Sequence, residues 1–304
     1  MRKLINPANI ILLLFLLVEL MPSRRAHGGP LYVIGLVGLI ELNYLLKALF
    51  NKDAEKVQTT GDVTAIVLFL ISAWELSTIK LDLLDTMLFP GPGVIIALFI
   101  KEIPELLKGF VSSMQLLLAG YLLALVTAIP LALIIGWRRR LYRAVNPLTK
   151  VMGPIPPIVY IPYAIGMLPT FMFSSIFIIF IGAFWPIFIN TLNGVFNIDK
   201  ELIDSAKVLN VRERTMLFQI ILPGTLPSII SGSTIGLVLS FILLTAAEMI
   251  GATSGLGWYV KYFSDFADYP RVIVGIIFIG IVVTGITYVF DRIERYLLRW
   301  KHCS

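Results

Sequence analysis

Long apolar runs, each close to the length needed to cross a bilayer, alternate along this chain with short polar stretches. Eight candidate spans can be drawn, at about 9–22, 31–50, 63–79, 109–137, 151–168, 171–192, 227–250 and 270–290. A run of about 18 or more apolar residues is the length of a membrane-crossing helix. A membrane barrel would instead show segments of about ten residues with alternating polarity. The runs here are continuous, so the pattern predicts an all-α, polytopic transmembrane helical bundle.

Composition agrees with that pattern. Of 304 residues, 58% are hydrophobic and 14% charged, with a mean hydropathy of +0.88, whereas soluble domains carry about 25% charged residues. The net charge of +6 does not argue for nucleic acid, because most basic residues flank the apolar runs, where the excess of Lys and Arg on cytoplasmic loops accounts for them. Arg138, Arg139, Arg140, Arg143 and Lys150 mark one such loop. Lys200, Lys207, Arg212 and Arg214 mark a second, and Arg292, Arg295, Arg299 and Lys301 mark the tail. All three fall on one side if the later spans alternate, which predicts a cell-membrane protein with a cytoplasmic C-terminus. The first run contains Glu19 and is followed by Arg24 and Arg25 on the opposite side, a departure from the charge rule. A signal peptide is the rival there; no small-x-small cleavage site precedes the arginine pair, which favours an uncleaved anchor. Residues 80–108, with Lys101, Glu102, Glu105 and Lys108, read as an external interfacial stretch. The single cysteine, Cys303, permits no intrachain disulfide and no metal set, and His27 and His302 lie in polar flanks.

The most informative polar stretch runs from Asn197 to about residue 226 and reads as two short helices joined by a tight bend. Asp199 is placed to cap the first, and Glu201 favours the positive end of its dipole. Leu202, Ala206 and Leu209 fall on one face, which Ser205 keeps narrow. Asn210 suits the left-handed conformation that ends a helix. A second amphipathic segment, Arg212 to Ile221, returns the chain to the membrane, with Pro223 and Pro227 breaking it before the next span.

This stretch resembles the cytoplasmic loop of ABC importer permeases, whose pattern is Glu-Ala-Ala, three residues, Gly, nine residues, then Ile-x-Leu-Pro. Here the same spacing carries Asp204-Ser205-Ala206, Asn210 and Ile220-x-Leu222-Pro223. Residues Ala246 to Gly257, Phe89-Pro-Gly-Pro92, Ile155-Pro-Pro-Ile158 and Ile293 to Trp300 resemble the nitrate, taurine and aliphatic-sulfonate branch of those permeases. The resemblance spans about 63–301. It implies a type I importer permease fold with a six-span core. Residues 1–50 would form an added hairpin of two spans, and residues 51–301 the permease domain. It further implies that Glu201, Asp204, Ser205, Ala206, Asn210, Ile220, Leu222 and Pro223 engage an ABC ATPase dimer, with a second permease copy and an external solute-binding protein completing the system. Transport would proceed by alternating access, and Ala206→Arg would uncouple it by blocking the ATPase cleft. The chain departs from the branch at Leu116 and Gly153, where relatives commonly carry Arg, and at Met167-Leu168-Pro169. Anionic substrates therefore do not carry over.

Other residues could line the translocation path. Glu248 is an ionisable group within an apolar run; it is either a gating residue or a hydrogen-bond anchor for the Thr253 to Gly257 turn. Pro154, Pro156, Pro157 and Pro162 interrupt one run, with Tyr160 and Tyr163 among them. Broken backbone of this kind either lines a path or kinks a packing helix. Ser228, Gly232, Gly236 and Ser240 recur every four residues and permit close helix approach, within the chain or between two copies. No phosphate-binding loop is present, so ATP would be bound and hydrolysed by a separate subunit, and this chain would be neither an enzyme nor a cofactor carrier. The alternatives are an ion-driven secondary transporter, which would need inverted repeats and intramembrane charge pairs, and a non-transporting scaffold or sensor. Glu19, Glu41 and Glu75 are scattered and have no evident basic partner in the sequence.

Overall fold

The computed structural model describes residues 7–25, 29–50 and 53–299, and of Lys200 only the backbone. The expectations at Met1 to Lys3, His27, Trp300, Lys301, His302 and Cys303 lie outside those residues. Among the described residues the chain is helical, without strands. We number the helices α1 Pro7–Leu20, α2 Pro30–Phe50, α3 Ala54–Lys80, α4 Pro92–Trp137, α5 Arg139–Met152, α6 Pro157–Met167, α7 Phe171–Phe196, α8 Lys200–Val208, α9 Glu213–Gly251, α10 Leu256–Asp265 and α11 Tyr269–Leu297.

Six of these, α2, α3, α4, α7, α9 and α11, are long and apolar enough to cross a membrane. The other two expected spans are shorter. Helix α1 has 14 residues, about 21 Å of rise against a hydrocarbon core of about 30 Å. The run at 151–168 is broken: α5 ends at Met152, and α6 begins as a 3-10 turn at Pro157. In the stretch at 80–108, read from the sequence as external and interfacial, the chain leaves helix only from 81 to 91. The second half of that stretch belongs to α4, a continuous helix of 46 residues, so Lys101, Glu102, Glu105 and Lys108 lie on a helix about 69 Å long, more than twice what the hydrocarbon core takes up.

The chain forms two compact units. The first holds residues 1–105 and 262–277. In it α1 and α2 pack on α3 around Phe15, Val33, Val37 and Leu68. Asp53 caps α3 by accepting the backbone N–H groups of Glu55 and Lys56, and the Lys56 ammonium 3.1 Å away holds its carboxyl below the usual range. The segment after α1 is tied down by Lys80, whose buried ammonium donates to the carbonyls of Glu19 (2.9 Å) and Met21 (3.0 Å). Lys80 Nζ also lies 4.0 Å from Glu19 Oε2, so Glu19 has a basic neighbour that periodicity did not disclose. Arg25 pairs with Asp82 and donates to the Leu84 carbonyl, so this arginine is neutralised inside the unit rather than serving as a topology signal. At the other end of the unit, Arg271 Nε donates to Glu102 Oε1 at 3.0 Å, pairs with Asp268, and lies over the Phe263 ring.

The second unit holds residues 106–261 and 278–304, and the packing of α7 on α9 dominates it. Helices in lipid gain little from hydrophobicity alone and associate where small residues let their backbones meet. Gly232 and Gly236 do this: a Cβ at Gly232 would stand 2.9 Å from the Pro186 carbonyl, and one at Gly236 3.2 Å from the Ala183 carbonyl. Ser228 faces Gly194 in the same way. The four-residue repeat of small residues is thus a seam within the chain. Tyr121 ties α4 to it, donating to the Ser233 carbonyl at 2.8 Å. Gly232→Leu is expected to pry α7 from α9 at a cost of about 1–3 kcal/mol. The check is the apparent melting temperature in detergent, where a fall of several degrees is expected and an unchanged midpoint would reject the seam.

Candidate functional site

The polar stretch is built as a rigid corner in the second unit. Asp199 caps α8, its Oδ1 accepting the Glu201 N–H at 3.0 Å. The helix ends in a paired hydrogen-bond motif: the Asn210 N–H donates to the Lys207 carbonyl (2.9 Å) and the Val211 N–H to the Ala206 carbonyl (3.2 Å). That closure requires a left-handed residue after the last turn, and Asn210 has φ of +51°. The sequence expectation of a capped helix ended by Asn210 therefore holds.

The face of that helix does not. Ala206 is 5% exposed and packs with Val195, Met216 and Ile221, with Trp137 and Val211 against the cluster. Leu202 and Leu209 instead lie exposed, with Val208 beside them, a residue the sequence reading did not single out. Glu201, Asp204 and Ser205 are exposed as well, and Asp204 pairs with Lys207 at 3.1 Å. Ala206 thus fastens α8 to the ends of α4 and α7, while an outer face carries three apolar and several polar side chains.

The expected second short helix is also absent as a separate element. From Glu213 the chain runs as one helix to Gly251. Its first turns widen into a π-helical stretch at Met216–Ile221, where the Leu222 N–H reaches back five residues to the Leu217 carbonyl. Proline in a helix clashes with the carbonyl four residues earlier, and a widened turn relieves that crowding. Pro223 and Pro227 therefore sit inside α9 rather than ending it. Ile220 and Leu222 are half-buried, Pro223 is exposed, and Ile221 between them is fully buried.

Glu248 lies near the far end of α9, buried. Its Oε1 accepts from Ser113 Oγ at 2.7 Å and its Oε2 from the Gly257 N–H at 2.8 Å. Ser113 Oγ in turn accepts the Leu256 N–H at 2.9 Å. The carboxylate occupies the space a Cβ at Gly255 would take, and Gly255 has φ of +121°, open to glycine alone without strain. Glu248 thus holds the turn through Gly257 directly and through Ser113 to Leu256.

The proline-broken segment folds as a turn and bend at 153–156, extended at Pro156, then the 3-10 turn at Pro157–Tyr160, then the rest of α6. Ile161 and Ala164 pack on Ile178, Leu243 and Ala247. Tyr160 faces an open cavity of about 460 Å³ with α7 as its other wall, while Pro156 and Pro157 shape the bend without lining it. At Gly153 a Cβ would stand 2.8 Å from the Thr149 carbonyl and 2.9 Å from Ile189, so an arginine does not fit this position as packed.

These features describe a polytopic membrane protein with a fastened polar loop. Residues 128–302 match the family of binding-protein-dependent transport system inner membrane components. A protein of Methanocaldococcus jannaschii named as an ABC transporter permease is 32% identical over 231 residues, which is 74% of this chain and 84% of that protein. The nitrate import permease NrtB of Leptolyngbya laminosa is 33% identical over 56% of this chain and 61% of its own length. A Bacillus subtilis permease named for aliphatic sulfonates is 29% identical over 77% of this chain and 85% of its own. Among solved structures, a chain of the MetNI methionine ABC transporter in an inward-facing conformation shares the fold, with a TM-score of 0.56 at 20% identity over 65% of this chain and 98% of that one. The chain belongs to the binding-protein-dependent transport inner membrane component family, and it is the membrane-embedded permease component of an ABC importer.

Proposed function

We propose that two copies of this chain form the translocation path of the importer, that the polar loop and the C-terminus face the cytoplasm, and that the loop receives a separate ATPase dimer which binds the ATP. The solute arrives from an external binding protein. The observation that carries this reading is the build of α8: capped, closed at Asn210, fastened inward by Ala206, and presenting Leu202, Ser205, Val208 and Leu209 outward. A loop held this rigidly transmits force, whereas a solvated linker would absorb it. Glu201 and Asp204 supply charge on the docking side. Ile220, Leu222 and Pro223 act one step removed, setting the π-helical junction through which movement of the loop reaches α9. Residues 1–50 stand as an addition to the permease domain at 51–301; the relatives' alignments leave about a quarter of this chain uncovered.

Closure of the ATPase dimer on ATP would draw the paired loops together and tilt α7 and α9 as one body, since their seam is too close to slide. Hydrolysis would reset them. The direct test is purification of the tagged chain from its native membrane in mild detergent. An ATPase that co-purifies and hydrolyses ATP is the expected result; an intact chain that never retains one would overturn the assignment of the loop.

A further inference from the structure

The cavity beside the proline-broken segment carries information about the solute. It is walled by Tyr160 and Tyr163 from α6 and by Phe177, Phe180, Phe184 and Trp185 from α7, with methionines at its margins. Among the described residues no carboxylate, ammonium or guanidinium lines it, and the polar side-chain groups on the wall are two tyrosine hydroxyls and the Trp185 indole N–H. Phe184 stands in the middle of the array, 5.4 Å from Phe180 and 5.3 Å edge-on from Trp185. From the permease reading above, and resting on it, we infer that this cavity is a solute site of the translocation path and that it takes an uncharged aromatic or heterocyclic molecule of one to three rings.

Three physical points lead there. First, about 460 Å³ falls within the range of small-molecule sites, about 300–1,000 Å³. Nitrate or a short sulfonate would leave most of it empty. Second, an oxyanion entering such a wall loses its water and gains few N–H donors in exchange, which leaves a desolvated charge unpaired. Gly153, packed too closely for an arginine, does not supply the missing donor. Ring faces and edges, in contrast, reward a planar solute through offset and edge-to-face contacts. Third, the occupant is not lipid. Met152 and Tyr160, both on the cavity wall, flank the non-helical bend at 153–156, and irregular backbone in a membrane is tolerated where it faces protein or a water-filled path rather than acyl chains.

The test uses the complex of the full chain with its co-purified ATPase in nanodiscs, carrying Cys303→Ser and Met167→Cys, the latter at an exposed position on the cavity rim. The rate of maleimide labelling is followed with quinoline, nitrate or methanesulfonate present at millimolar concentration. Quinoline is expected to slow labelling strongly while the two anions do not, and adding Phe184→Ala should weaken that protection about tenfold, the upper end of what one aromatic pair supplies. Protection by the anions and not by quinoline would overturn the solute class. Labelling that no probe changes would remove the cavity from the path, and labelling blocked before any probe is added would assign it to contact with the second copy. In these three cases the ATPase is still retained, so the permease reading survives. A preparation that retains no ATPase overturns both.

Discussion

Replacing Val208 with Lys and Leu209 with Arg is expected to strip the ATPase from the purified chain while leaving the chain folded. Both side chains are more than three-quarters exposed at the end of α8, so neither substitution opens a cavity, and surface changes of this kind move stability by no more than about 0.5 kcal/mol. Cations in the last turn of a helix are favoured by its dipole, which removes the commonest objection to a charge-introducing variant. An interface, by contrast, depends on a few apolar anchors, each costing about 2 kcal/mol or more when lost. Removal of two such anchors should weaken ATPase binding on the order of 1,000-fold where their contributions add. The melting temperature of the chain, read in the same preparation, should not move. Ala206→Arg behaves differently. Its side chain would enter the cluster of Val195, Met216 and Ile221, where a buried unpaired charge unfolds the corner, so it should lose stability and ATPase together. A double variant that keeps its ATPase and its transport would show that α8 is not the docking element.

The contrast between those two variants marks where sequence stopped being sufficient. On a helical wheel, Leu202 lies between Leu209 and Ala206, with Ala206 at one edge of the arc, and nothing in the chain says on which side of that arc the bundle sits; that is decided by Val195, Met216 and Trp137, brought in by tertiary packing. The closure of the helix was legible, because a left-handed Asn after the last turn is a local rule that needs no partner from elsewhere. Pro223 misled for the opposite reason. The local rule ends a helix at proline, but a π-helical turn just before it lets α9 continue, and no residue pattern in Met216–Ile221 announces that turn.

The membrane spans show the same division. Continuous apolar runs predict crossing helices because hydrophobic length is set by the bilayer, and α2, α3, α7, α9 and α11 follow the runs. The start of α4 did not follow. Charges at 101–108 interrupt the apolar run, but the helix continues through them because Lys and Glu are good helix formers. The seam of Gly232 and Gly236 was visible as a spacing, but its partner, Pro186 and Ala183 on α7, was not.

Glu248→Ala should strongly destabilise the second unit. Truncation orphans two buried donors, the Ser113 hydroxyl and the Gly257 N–H, at about 1–3 kcal/mol each, so a loss of about 4 kcal/mol is expected. Glu248→Gln keeps a carbonyl oxygen for one donor and should lose roughly half as much. Detergent-solubilised melting midpoints should therefore fall in the order wild type, Gln, Ala. A gating carboxylate gives another pattern: stability is kept, while ATP hydrolysis continues without transport. Gly255 offers an independent handle on the same contact. Gly255→Ala drives a Cβ into the carboxylate and strains a φ of +121°, and the two costs separate in a double-mutant cycle. Removing Glu248 relieves the collision but not the backbone strain, so Gly255→Ala should cost less in the Glu248→Ala background than in the wild type. Strict additivity would mean that the side chains do not meet, and the anchor would lose its geometric basis.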